Sequence, residues 1–163
     1  MPGGIGLNYL RLSIVIIGLT ASLALADELG PLKPAPADKC PVCGMFVAKY
    51  PDFLARIVFK DGSYAFFDGV KDLMKYFFNL PKYNPAQKTA DIAAIVVMDY
   101  YKMKPTDGYQ AYYVVGSEVY GPMGRELIPF REESAAREFL RDHKGKEIVR
   151  FDQIKPALLA NLD

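Results

Sequence analysis

Apolar and polar positions alternate with different periods along this chain, and the periods predict its elements. Leu54–Phe59 and Ser63–Phe67 flank Asp61-Gly62, which predicts a β-hairpin closed by a two-residue type I′ turn. Val70, Leu73, Met74 and Phe77 recur at helical spacing, predicting a helix over 69–79 that Asp68 caps and that ends before Pro81. Lys82–Lys88 is polar, carries Pro85 and reads as a connecting loop. Ile92–Met98 is a continuous apolar run, predicting a strand covered on both faces. A turn at Pro105–Gly108 leads into a strand over Tyr109–Val119. Tyr120–Leu127 holds Gly121, Pro122 and Gly124 and reads as a loop or tight hairpin turn. A helix over 132–142 presents Ala135, Ala136, Phe139 and Leu140 and is ended by Gly145, and Ile148–Phe151 is a last strand.

The order hairpin–helix–strand, then strands–helix–strand, predicts an α+β fold of two related small halves. Phe67–Phe77 is weakly echoed by Phe130–Leu140.

The first 26 residues follow a different logic. A single basic residue, Arg11, precedes an apolar run over Leu12–Leu25, which closes on Ala24-Leu25-Ala26. This is the layout of a secretory signal peptide, and the run is shorter than the roughly 20 residues of a spanning helix. The expected division is a signal peptide over 1–26, a Pro-rich spacer over 27–39 and a folded domain over 40–163. Cleavage after Ala26 would deliver a periplasmic protein. The nearest Cys lies at 40, so no lipid anchor is evident.

Composition narrows the chemistry. The 163 residues carry a formal charge of +1, two Cys and one His. A near-neutral chain gives no electrostatic reason to expect nucleic acid as a partner. A single His removes most His-based metal and catalytic constellations. No phosphate loop, nucleophile elbow or zinc-protease motif is present.

What stands out is Cys40-Pro-Val-Cys43-Gly-Met45. A zinc knuckle needs four ligands, and His143 would supply only a third. A thiol–disulfide site is a second reading, although such motifs usually follow a strand and open a helix. The third is a soft-metal site, because thiolate and thioether sulfur select Cu(I). In an extended segment Cys43 and Met45 point to one side, and Met123 offers a second thioether from Gly-Pro-Met-Gly, 121–124. Gap-filling in the core is the ordinary fate of such methionines, and Met98 and Met103 read as packing residues. His143 reads as a solvated helix end. Asp99-Tyr100-Tyr101 and Tyr112-Tyr113 read as core or cross-strand aromatics, and Arg131-Glu132-Glu133 as a solvated first helical turn.

CPVCGMFVAKYP, DGSYAFFDGVKDLMKYFF, AYYVVGSEVYGPMGRELIPF and EFLRDHKGKEIVRFDQI together resemble the NosL family, exported accessory proteins of nitrous oxide reductase maturation. The resemblance spans about 40–155. It implies a fold of two related halves similar to the organomercurial-lyase domain. It also implies a Cu(I)-binding chaperone, without a catalytic cycle, that serves the reductase or its ABC-type maturation machinery. Cys43 and Met45 match the family's Cys-x-Met ligands and Met123 its later Met, while Cys40 is either an extra ligand or a disulfide partner. The alternative is a periplasmic thiol–disulfide protein using Cys40 and Cys43. A chaperone would need both Met45 and Met123; a redox protein would need neither.

Overall fold

The computed structural model describes residues 33–163. The expected signal peptide and the first half of the spacer lie outside the described residues. Among these, no helix is long and apolar enough to cross a membrane.

The chain enters through a turn in which the Asp38 carboxylate accepts the Ala35 N–H (2.7 Å). Lys39 then pairs with Phe46 across the cysteine loop. The expected hairpin is β1 (Ala55–Phe59) and β2 (Tyr64–Phe67). Its turn differs from the type I′ expectation, because only Gly62 adopts positive φ (+83°). The Asp61 carboxylate instead accepts the Ser63 N–H (2.9 Å) and hydroxyl (2.6 Å), which favours an Asp-led turn followed by one left-handed residue.

Helix α1 (Val70–Phe78) follows, with Val70, Leu73 and Met74 buried. The polar stretch after it begins with a short helix, α2 (Leu80–Tyr83). Strand β3 (Ile92–Asp99) returns beside β1. It is not covered on both faces: Ile95, Val97 and Asp99 are buried while Ala94, Val96 and Met98 are half-exposed. A register shift at Val58/Phe59 brings Ile92 inward as well. Lys104–Asp107, expected to lie largely in a turn, is an edge strand, β4. Pro105 is tolerated there because an edge strand need not donate on both sides. Met103, at φ +52°, stands exposed in the turn before it and is not a packing residue.

The second half repeats the plan. Strands β5 (Tyr112–Gly121) and β6 (Gly124–Phe130) form a hairpin with Pro122-Met123 at its tip. Helix α3 (Glu133–Asp142) and strand β7 (Glu147–Arg150) complete it. The sheets run β2-β1-β3-β4 and β6-β5-β7, antiparallel throughout, so each half places its third strand beside its first. The expected α+β fold of two related halves is the one observed. At the end of α3 the left-handed residue is Lys144 (φ +54°), while Gly145 donates back to the Leu140 carbonyl (2.8 Å). A last helix, α4 (Pro156–Ala160), begins on a proline, which suits its first turn, and packs against α1.

The tyrosines prove to be core and pairing residues. Tyr100 and Tyr101 pack on Phe139 and Phe130, both at 5.3 Å. Tyr113 is buried and donates to the Gly108 carbonyl, and Tyr112 lies under the Arg150 guanidinium (4.1 Å).

The halves are joined at their helix starts. Asp99, from β3, accepts the Arg131 N–H (2.7 Å) just ahead of α3. Glu126, from β6, accepts the Lys71 N–H (2.6 Å) in the first turn of α1. Burial pushes the Glu126 carboxyl up to about 8, against the smaller opposing pull of the Leu127 and Lys71 N–H groups. The folded chain therefore holds this proton where the unfolded chain has released it, and stability falls as pH rises from about 5 to 8, by roughly 1 kcal/mol per pH unit from this group. Denaturation midpoints measured across that range should show the decline in the parent protein, and Glu126→Gln should flatten it.

Candidate metal centre

The cysteine loop is shaped by its backbone. The Cys40 carbonyl accepts the Gly44 N–H (2.9 Å), and the Cys40 N–H donates to the Met45 carbonyl (2.9 Å). Gly44 sits at φ +79°, a left-handed conformation that glycine adopts without a Cβ penalty. The chain thus reverses within six residues and presents both thiols on one side. Cys40 is 1% exposed, Cys43 is half-buried, and both are free thiols.

The groups they meet come from the start of α1. Cys43 Sγ donates to the Asp68 carboxylate (3.3 and 3.4 Å to its two oxygens), and Cys40 Sγ to Asp72 Oδ2 (3.4 Å). Asp68 precedes the helix by two residues and Asp72 lies in its first turn, and their carboxylates meet the two neighbouring thiols. The four ligand atoms lie within 4.8 Å of one another. Asp68 is consequently not the helix cap expected from its position. The N-cap is Gly69, without a side-chain bond, and Glu126 of the other half takes up the Lys71 N–H. A carboxylate facing two buried thiols is not free to turn back onto its own helix.

Burial is the largest influence on both thiols. It pushes Cys43 up to about 12, against the Met45 N–H, and the neighbouring carboxylates add to the rise. It pushes Cys40 higher still, against the N–H groups of Cys43 and Val42. Two ionised thiols beside two buried carboxylates would repel one another; kept protonated, they satisfy the carboxylates as donors. A cation bound by the sulfurs would replace the thiol protons. The donor set, two sulfurs and two oxygens within 4.8 Å of one another, could hold a metal ion. It is not the electropositive setting that activates a redox cysteine.

The remaining candidate residues fall as follows. Met45 is half-buried in the same loop, two residues beyond Cys43. Met123 is 45% exposed at the tip of the β5–β6 hairpin, and its carbonyl accepts from Lys71, in the turn of α1 that carries Asp72. His143 stacks on Phe139 (4.3 Å) in the second half and is no part of the thiol–carboxylate group. The sequence reading missed Asp68 and Asp72 as partners of the thiols. Their spacing, Asp-x-x-x-Asp across a helix start, was the available signal.

The NosL family model matches residues 31–159. This chain belongs to the NosL family. A family relative, the copper-binding lipoprotein NosL of Stutzerimonas stutzeri, is 31% identical over 166 residues, covering 95% of this chain and 83% of its own length. The crystal structure of the copper chaperone NosL from Shewanella denitrificans shares the fold, with a TM-score of 0.64 at 24% identity over 78% of this chain and 99% of that one. The solution structure of apo-NosL from Achromobacter cycloclastes is 26% identical, with a TM-score of 0.46, over 64% of this chain and 87% of that one.

The thiols of this NosL-family chain should be unreactive when metal-free and folded. At pH 8, iodoacetamide should modify Cys43 about a thousandfold more slowly than the unfolded chain. The rate should climb about tenfold per pH unit towards pH 11. Mass spectrometry of time points, native and denatured, measures both.

Proposed function

We propose that this protein is an exported metallochaperone that captures one Cu(I) ion and passes it to a copper enzyme during assembly. The observation that carries the reading is the convergence of Cys40 and Cys43 on one cluster beside which the Met123 turn is tied. The cargo is a soft cation, and sulfur is what it prefers. In this reading Cys43 supplies the charged ligand. Met45 and Met123 supply weaker thioethers that an acceptor's sulfur or imidazole groups can replace one at a time. Cys40, buried beside Asp72, serves as a further sulfur ligand. Asp68 and Asp72 accept the thiols' hydrogen bonds in the metal-free protein.

The names of the relatives, one a copper-binding lipoprotein and one a copper chaperone, support copper as the cargo. Nitrous oxide reductase, or the membrane machinery that matures it, is the acceptor we infer from the family. We place the protein in the periplasm after removal of residues 1–26, and assign it no catalytic cycle. The thiol–disulfide alternative is disfavoured by the upward push on both thiols, since an oxidoreductase needs one of them as a ready thiolate.

An anaerobic Cu(I) titration of reduced 27–163 against a chromophoric chelator tests this. One tight site is expected. It should be lost in Cys43→Ser and weakened about tenfold, roughly 1.4 kcal/mol, in Met45→Leu and in Met123→Leu. Binding indifferent to both methionines would overturn the assignment. The carboxylates add a separate expectation. Hard oxygen ligands suit Zn(II) better than Cu(I), so Asp68→Asn and Asp72→Asn should each weaken Zn(II) binding more than Cu(I) binding in parallel titrations.

A further inference from the structure

Lys71 lies inside the protein, with 2% of its side chain exposed, between the two acids of the cluster in sequence. Its ammonium donates to the carbonyls of Met123 (2.7 Å) and Leu162 (3.1 Å), and Asp163 Oδ1 lies at 3.5 Å. Its backbone N–H is held by Glu126, from the strand that leaves the Met123 turn. The β5–β6 hairpin and α1 are therefore bonded twice through one residue, once by its main chain and once by its side chain.

Within its own hairpin the turn is closed by the pairing of Gly121 with Gly124 and of Tyr120 with Arg125. Met123 is largely exposed, and the flanking Gly124, at φ +89°, has open space where a Cβ would stand. Closer to the helix the packing is tight. A Cβ at Gly69 would come within 2.1 Å of Glu126 Oε2, and one at Gly121 within 3.1 Å of Glu126 Cγ. Beyond the hairpin's own pairing and the buried Glu126 anchor, the bond to Lys71 ties the tip itself to α1. A buried ammonium needs its protons satisfied, and Lys71 finds its partners in the tip carbonyl and in the segment after α4.

We propose that Lys71 is a positioning residue that holds the Met123 turn against the thiol–carboxylate cluster, and that Leu162 and Asp163 complete the clamp. The inference rests on the reading that Met123 is a copper ligand. It makes the segment after α4 part of the capture apparatus, although that segment carries no sulfur.

Protein labelled with carbon-13 at the methionine methyls, titrated anaerobically with Cu(I), separates placement from general stability. In the parent protein the Met45 and Met123 methyl signals should both shift. In Lys71→Met the Met45 shift should remain and the Met123 shift should be lost, with affinity about tenfold weaker. Adding Met123→Leu to that variant should cost nothing more. If Lys71→Met does not fold, Asp163→Ala gives the second reading, with a two- to threefold loss expected, roughly half a kcal/mol, and a smaller Met123 shift. A folded Lys71→Met, or failing that a folded Asp163→Ala, with parental affinity and the full Met123 shift would overturn the proposal. A Met123→Leu single variant that binds copper as the parent does would overturn the ligand reading instead, and the clamp with it.

Discussion

The start of α1 is where this structure is most constrained. Asp68, Lys71 and Asp72 are all buried within five residues, and the buried Glu126 reaches the same turn from the other half. Buried ionisable groups are costly unless each is satisfied. Here the thiols serve the two aspartates, backbone N–H groups serve Glu126, and backbone carbonyls serve Lys71. Each group is solved by a different part of the chain: the cysteine loop, the β5–β6 hairpin and the segment after α4. A purely apolar helix start would pack more cheaply. It would not fix these three segments in one register, and it is in that register that the thiols meet the carboxylates.

The pseudo-repeat explains why only one half carries the cluster. Phe67-Asp68-Gly69 and Phe130-Arg131-Glu132 occupy the same place, between the hairpin and the helix. In both halves a carboxylate from the other half meets backbone N–H groups there, Glu126 at α1 and Asp99 ahead of α3. This reciprocal arrangement leaves the local acid of the first half, Asp68, without a capping duty. The cysteine loop precedes β1 and has no counterpart before β5, so the freed acid faces thiols. The second half offers Arg131 at the matching position, and among the described residues it holds no matching thiol–carboxylate group.

Much of this was legible in the sequence because it is local. The β1–β2 hairpin, both long helices and the β5–β6 tip follow from periodicity and from glycine placement. Three of the differences share a source, which is that long-range contacts decided the local outcome. Asp68 has the composition of a cap, but the cap is supplied from residue 126. Pro105 looks like a turn residue, but β3 offers it an edge. Ile92–Met98 looks buried on both sides, but a register shift at Val58/Phe59 accounts for part of the apolar run. The thiols were visible as a motif, whereas their carboxylate partners stand 25 and 32 positions further along the chain.

For a carrier, an ion held too well is as useless as one not held. Buried thiols that are protonated at neutral pH oppose loading, because each must lose its proton first. On the copper reading the adjacent carboxylates would ease that step by favouring a cation beside them. On the copper reading the balance gives capture by sulfur and weak retention at the exposed edge, where Met123 stands 45% open to solvent. The inner side of the site is rigid, built from a helix, a glycine-reversed loop and buried charge. On the same reading its outer side is the two-residue tip, where Met123 touches solvent. An acceptor approaching from that side would meet the thioether first and the thiols last, so transfer can proceed by stepwise replacement without unfolding the cluster that captured the ion.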